Sequence, residues 1–401
     1  MNSFLQFTSR ITTSWPNGRC LYAPAGRTAI GSRDEAAKIG SLLVGLSLAS
    51  ILLFWIFAGG SELRYILFAV PLPVAVAWIF SARGDPLLSR RGLIAVGLFG
   101  ALAAASTMVN GTTPFTGRDL LVIGVYLSLF CFILQSERWH AGLGMAGLAA
   151  GLFLEGLLNG ATPQLSLVDS AGVIESSLAL PLGLFVLYYY RVGDVSKAVI
   201  ASVLLFLAFK RITFLAVAVA IAFDLFYTRI LGRHSISRMM CIAVMMLVTL
   251  VALNLQTVFV GAQEIFNDGD LSANRLTLGR YDIGAILWEK WRVAGPLQVF
   301  FGSGVGATDA ALAQAAQGSL AHNDWLKILI DYGIIGIAGF WAILIAVFKN
   351  GRLSNLFLIY TAVLMMTDNP LIYIFYFMFA HQILQVQDSE NSSIPLRNFA
   401  I

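Results

Sequence analysis

The sequence predicts an all-α polytopic membrane protein of about twelve transmembrane helices, with one large loop that carries short amphipathic helices. Three observations predict it. Of 401 residues, 58% are hydrophobic and only 12% charged, at a mean hydropathy of +0.78; a soluble globular chain has no use for that apolar excess. Apolar runs of about 20 residues, enough to cross a bilayer core of about 30 Å, recur along the chain. Lys and Arg gather on alternate connections between those runs, as they do in multi-pass proteins.

Residues 1–37 are polar, hold Pro16 and Pro24, and lack the compact apolar core of a cleavable signal peptide. They read as a disordered cytoplasmic tail. Residues 38–386 read as a single transmembrane domain. Its crossings fall at 39–58, 64–82, 92–109, 120–135, 141–158, 176–190, 198–209, 212–228, 239–259, 333–348, 355–368 and 371–386. The shorter ones imply tilted or broken helices. No internal repeat marks a duplicated transporter. Residues 387–401 read as a second cytoplasmic tail. Roughly seventeen cations, from Arg10 through Arg83, Arg138, Arg191, Arg229 and Lys349 to Arg397, share one side, against roughly four on the short loops opposite. Both termini are therefore placed in the cytoplasm. The long loop, 260–332, lies outside, which is the periplasm in a Gram-negative host.

Composition also excludes classes. No basic cluster is interleaved with aromatics, so nucleic acid is not an expected partner. Cys20, Cys131 and Cys241 are scattered, as are His140, His234, His322 and His381. That spacing argues against a disulfide framework and against a metal site.

The chemistry-bearing residues gather on the outer side. The long loop begins with a polar, turn-rich stretch from Ala262 to Asn274. After Arg280, Ile283, Ile286, Leu287 and Trp291 fall on one helical stripe, with Asp282, Glu289 and Lys290 off it, which predicts a helix lying on the membrane face. Arg280 sits at that helix's N-terminal end, either beside N–H groups that favour an anion or snorkelling to lipid phosphate. Beyond Pro296, the alternation Gly302, Gly304, Gly306 either lets the backbone approach a phosphate or forms a flexible turn.

His322 and Asn323 open the next helix. A histidine there can trade a proton near neutral pH; the plainer alternative is a surface cap. Asp324, Lys327 and Asp331 share one face, read as solvated, with Lys327 and Asp331 spaced to pair. Trp325 is expected at the headgroup level. Within the membrane, Lys210-Arg211 follows Lys197 by only about a dozen residues, too few for a straight crossing. The pair is either a boundary turn or a buried group facing a partner. Arg211, with its planar fork, is the better phosphate ligand of the two. Glu155 and Asp224 sit near span ends, and Asp368-Asn369-Pro370 reads as an outer turn between the last two crossings.

His322-Asn323, then nine residues, then Gly333-Ile334-Ile335-Gly336 resembles the signature of the O-antigen ligase/polymerase superfamily. Arg211 at the outer end of a middle crossing agrees, as do Arg280, Trp288 and Pro296 followed by Gly302 and Gly304. The similarity covers roughly residues 175–386. Lys210-Arg211-Ile212 departs from the Ser-Arg-Gly common at that site. The resemblance implies a GT-C-like glycosyltransferase of the bacterial inner (cytoplasmic) membrane, with its active site on the periplasmic face. The donor would be a glycan on undecaprenyl pyrophosphate. The acceptor would be a sugar hydroxyl, on lipid A–core in a ligase or on another lipid-linked repeat unit in an O-antigen or exopolysaccharide polymerase. A lipid-linked sugar transporter is the rival from another class. By the same resemblance, His322 would be the general base, and Arg211 and Arg280 would meet the pyrophosphate. Lys210, Arg275, Gly302, Gly304, Gly306, Asn323 and Lys327 would contact substrate. No cofactor and no metal is implied, since the sugar–phosphate bond stores the needed energy.

Overall fold

The computed structural model describes residues 45, 89–131, 138–159, 176–230, 237–255, 280–315, 321–348 and 351–393. The chain divides into two units, Met1–Glu35 and Ala36–Ile401, and all the described residues lie in the second. The crossings expected at 39–58 (residue 45 apart) and 64–82 lie outside the described residues. So do both chain ends, Cys20, His234, Arg275 and the turn-rich start of the long loop.

Every regular element among the described residues is helical. In chain order they are α1 Arg90–Asn110, α2 Thr116–Leu129, α3 Arg138–Asn159, α4 Ala179–Val192, α5 Val195–Ala208, α6 Arg211–Leu225 and α7 Arg238–Leu253. The series continues with α8 Arg280–Arg292, α9 Pro296–Phe301, α10 Ala307–Gln314, α11 Asp324–Val347, α12 Arg352–Thr367 and α13 Ile374–Ser393. A π turn, Phe226–Ile230, extends α6, and a 3-10 turn, Pro370–Ile372, precedes α13. Short polar side chains start several of them: Ser89 accepts from Gly92 N–H, Asp194 from Lys197 N–H and Ser237 from Met240 N–H. Among the described residues four stretches, Arg90–Asn110, Arg138–Leu157, Arg211–Arg229 and Asp324–Val347, are long and apolar enough to cross a membrane, and α4, α5, α7 and α12 are shorter apolar helices.

The packing separates helices that face protein from helices that face the bilayer. Along α12 every residue from Leu353 to Met365 is buried, and α4 is buried from Ala179 to Tyr189. α12 packs on α4, α6, α7 and α11, so it is the axis of the bundle. By contrast α5 exposes Val195, Val199, Ile200, Val203, Phe206 and Leu207, each at least half accessible. Leaving such a side chain in water forgoes about 1 kcal/mol or more. A face built from them is suited to lipid. One charge inside the bundle is paired across helices. Asp224, fully buried, takes a two-pronged bond from the Arg352 guanidinium and accepts from Tyr190 Oη at 2.8 Å.

Two expectations need correction. α11 is not wet at its start, because Asp324, Trp325, Leu326 and Lys327 are all buried. Trp325 does not lie at an exposed headgroup level; its ring is enclosed and its Nε1–H donates to Ala362 O at 3.0 Å, which satisfies its polar edge inside the bundle. His140 is buried in the first turn of α3, where its carbonyl accepts from Gln382. The stripe on α8 is real, with Ile283 and Leu287 buried and Glu289 and Arg292 exposed. It packs on α10 and α11 rather than lying free.

Candidate functional site

The His322 turn is built from three anchors. Asn323 caps α11: its Oδ1 accepts from Leu326 N–H at 3.0 Å, while its Nδ2 donates to Ala252 O at 3.0 Å in the last turn of α7. Asp324, fully buried, accepts from Leu371 N–H at 2.9 Å in the turn before α13. Lys327 makes the third anchor, described below. Both polar atoms of the Asn323 side chain thus hold the fold.

Phe209 (φ 39) and His322 (φ 48) are the two non-glycine residues with left-handed backbone among the described residues. Such a conformation costs about 1–3 kcal/mol and persists only where the surroundings impose it, commonly at functional sites. Phe209 directly precedes Lys210-Arg211. The strain therefore falls on the two motifs singled out from the sequence.

Contacts bring those motifs to one end of the bundle. Lys210, which lies in the break between α5 and α6, places Nζ 2.8 Å from Asp368 Oδ2, with the two side chains 7% and 1% exposed. The same ammonium lies 5.7 Å over the Tyr373 ring. Asp368 ends α12, and three residues on Leu371 donates to Asp324, two residues from His322. Of the alternatives for Lys210-Arg211, the buried, partnered one holds for Lys210. Its charge is engaged by Asp368. Arg211 opens α6 half-buried. Glu155, at the end of α3, closes on the start of α4, accepting from Ser176 Oγ at 2.5 Å. Removing either partner of the Lys210–Asp368 pair strands a buried charge, a loss of about 3–5 kcal/mol. Asp368→Asn should therefore lower the melting temperature in detergent and the yield of membrane-inserted protein, whereas an unchanged melt would show the pair to be dispensable.

Lys327 does not face solvent. Its Nζ lies 2.6 Å from Asp119 Oδ2, 2.7 Å from Asp309 Oδ2 and 3.0 Å from Asp331 Oδ2. The Asp331 pairing is the one its spacing predicted. Arg118 backs the group, reaching Asp119 at 2.8 Å and Asp309 at 2.6 Å. Asp331 Oδ1 also accepts from both the backbone N–H and the hydroxyl of Thr308 at 2.8 Å. Burial here is possible because opposite charge arrives from α2 and α10, which sequence spacing along α11 does not reveal. Asp119, Asp309 and Arg118 were not singled out from the sequence. The available signal was a carboxylate in the first turn of an apolar helix.

The glycine alternation has a structural reason as well. Gly302, Gly304 and Gly306 are buried, at φ 81, 107 and 79. Gly302 lies against the backbone of Asp331, and Gly333, at φ 72 where α11 breaks, lies against the backbone of Phe300 and Gly302. The carbonyl of Val305, between the other two, accepts from the hydroxyls of Thr113 and Thr116 at 2.8 Å each, and Asn110 Nδ2 donates to Gly302 O at 2.9 Å. The close approach that Gly302 permits is to the backbone of Asp331 and Tyr332, whereas Gly304 and Gly306 lie beside Asn110, Thr113 and Phe115. Arg280 is the first residue of α8, which packs on α10 and α11, and Lys290 of the same helix reaches Ala307 O at 3.5 Å.

Residues 198–341 match the family model described as O-antigen ligase. The matched stretch contains Lys210-Arg211, α8 to α10, His322-Asn323 and Gly333-Ile334-Ile335-Gly336, so the superfamily resemblance carried by those motifs is shown. No curated protein and no solved structure matches the chain. The described residues thus form an all-helical protein with several stretches apolar and long enough to cross a membrane, and its residues 198–341 are similar to the O-antigen ligase family.

Proposed function

We propose that this chain is an inner-membrane glycosyltransferase that moves a glycan from a polyprenyl-pyrophosphate donor to a sugar hydroxyl, acting as an O-antigen ligase on lipid A–core. The observation that carries the reading is that the Lys210-Arg211 and His322-Asn323 turns, both inside the stretch that matches the family, are linked at one end of the bundle through Asp368, Leu371 and Asp324.

In the proposed reaction the acceptor oxygen attacks the anomeric carbon, its proton passes to the His322 imidazole, and the bond from that carbon to the pyrophosphate oxygen breaks with its electron pair leaving on the phosphate. An imidazole with an ordinary pKa near 6.5 is neutral and able to accept at neutral pH. Arg211 and Arg280 hold the departing pyrophosphate, whose charge rises as the bond breaks; fixed donors at such a position are each worth about 10²–10³-fold in rate. Guanidinium groups fill the part that a divalent cation plays elsewhere, so the proposed transfer is metal-independent. Lys210 and Lys327 are left out of the contact set because carboxylates already engage them.

The test is reconstitution. Purified protein in nanodiscs is given the host's undecaprenyl-pyrophosphate-linked glycan with lipid A–core. Glycan joined to lipid A–core supports ligation, extension of the lipid-linked glycan alone indicates a polymerase, and no transfer in either mixture overturns the reading. Arg211→Lys keeps the charge but loses the two-pronged fork. It should weaken binding of undecaprenyl pyrophosphate by about tenfold, the worth of about one charge-assisted hydrogen bond. Undiminished binding would remove Arg211 from the pyrophosphate site.

A further inference from the structure

We propose that Lys327 is a positioning residue, whose ammonium, set among Asp119, Asp309 and Asp331, fixes the helical block that carries the His322 turn in a single register against α2 and α10. The inference rests on His322 being the working group of the proposed transfer.

The break at Gly333 divides α11. It leaves Asp324–Tyr332 as a separate block of nine residues. A helix shorter than about 12 residues does not hold itself together and depends on tertiary contacts. Apolar contacts surround this block, because Trp325, Ile328, Leu329 and Ile330 are all buried. Apolar packing tolerates sliding and repacking better than charge does. The ammonium supplies what packing lacks. It meets carboxylates from α2, α10 and its own helix at 2.6, 2.7 and 3.0 Å, and Arg118 ties the first two together. A rotation of the block by one residue, about 100°, would swing the ammonium and Asp331 away together, breaking the bonds of Asp331 to Thr308 and leaving the buried carboxylates of Asp119 and Asp309 without the lysine. One register satisfies the group.

That register is transmitted directly to the candidate base. Lys327 N–H donates to Asn323 O at 3.0 Å, closing the first turn of the helix. Asn323 caps that turn, and His322 stands immediately before it in the left-handed conformation. A strained φ at a non-glycine residue needs surroundings that over-determine it. The Asn323 bonds, the Asp324–Leu371 bond and the Lys327 group are those surroundings.

Full-length protein in nanodiscs decides this by hydrogen exchange, with three variants compared. Lys327→Met keeps the apolar stem and removes the charge. Amides of residues 321–332 should then exchange at least about tenfold faster, while those of α4 and α12 stay unchanged. Surface polysaccharide at matched protein abundance should fall by about tenfold or more. Binding of undecaprenyl pyrophosphate should stay within about threefold of the unaltered protein, since the residue does not touch it. Lys327→Arg should restore the exchange protection and most of the polysaccharide. If Lys327→Met does not accumulate, Asp309→Asn, which leaves two carboxylates, should show the same pattern more weakly. Unaltered exchange of residues 321–332 in these variants overturns the inference. So does a loss of pyrophosphate binding as large as that of Arg211→Lys, which would make Lys327 a ligand. Failure of the functional reading is separate: transfer that survives loss of the His322 imidazole would refute the base assignment and leave the exchange result standing.

Discussion

Replacing His322 with Ala should abolish glycan transfer while the protein remains in the membrane at normal abundance. A general base contributes about 10²–10⁴-fold. Surface polysaccharide on a gel should therefore be absent or reduced to traces in a strain relying on this variant. His322→Asn is the sharper form of the test. His322 holds a left-handed backbone at φ 48. Asn tolerates that conformation better than most residues, and it keeps a polar side chain without a group that takes a proton at neutral pH. The Asn variant should thus fold at least as well as the natural chain and still be inactive. Long polysaccharide in either variant, at matched abundance, would show that another group takes the proton.

The largest expected effect on stability is at Gly333. A Cβ there would overlap the carbonyl of Phe300 and the backbone nitrogen of Gly302, and φ is 72. These obstacles are main chain, so no rotamer change relieves them. Left-handed backbone alone costs a residue with a side chain about 1–2 kcal/mol. Parting two interlocked backbones adds to this, for a total of about 4 kcal/mol or more, at the far end of single-substitution effects. Gly333→Ala should accordingly fail to accumulate or melt far below the natural chain. Gly302→Ala should behave alike, because the overlap is reciprocal with Asp331. Gly304→Ala meets nothing nearer than Asn110 Cβ at 3.4 Å and should suffer the conformational penalty alone. Equal stability of Gly333→Ala and the natural protein would mean that the α9–α11 interlock is not part of the fold.

The helical architecture was legible in the sequence because its signal is local. Crossings read at 92–109, 141–158 and 212–228 correspond to Arg90–Asn110, Arg138–Asn159 and Arg211–Leu225. Apolar length and terminal Ser, Asp or Arg residues mark such ends whatever the neighbours are. The break between Lys197 and Arg211 was legible for the same reason, since a dozen residues do not cross about 30 Å. The surroundings of charged side chains were not. Lys327 reads as solvated along its own helix, because Asp119 and Asp309 lie far away in the chain and arrive only through packing. Trp325 reads as an interfacial anchor for the same reason, its partner being a carbonyl of α12. The glycine alternation reads as an anion loop or as a flexible turn, and the Asp331 backbone that lies against Gly302 is not legible in it, being far away in the chain.

The proposed transfer requires the His322 imidazole and the Arg211 guanidinium to work together on the outer side of the membrane. Cysteine pairing measures this most directly. Cys20, Cys131 and Cys241 are changed to Ser, and His322→Cys and Arg211→Cys are combined in that background in intact cells. Both thiols should react with a membrane-impermeant maleimide applied from outside, and a short bismaleimide should bridge them within one chain. A pair that resists bridging although each thiol is labelled, or two thiols that label from opposite sides of the bilayer, would contradict the account.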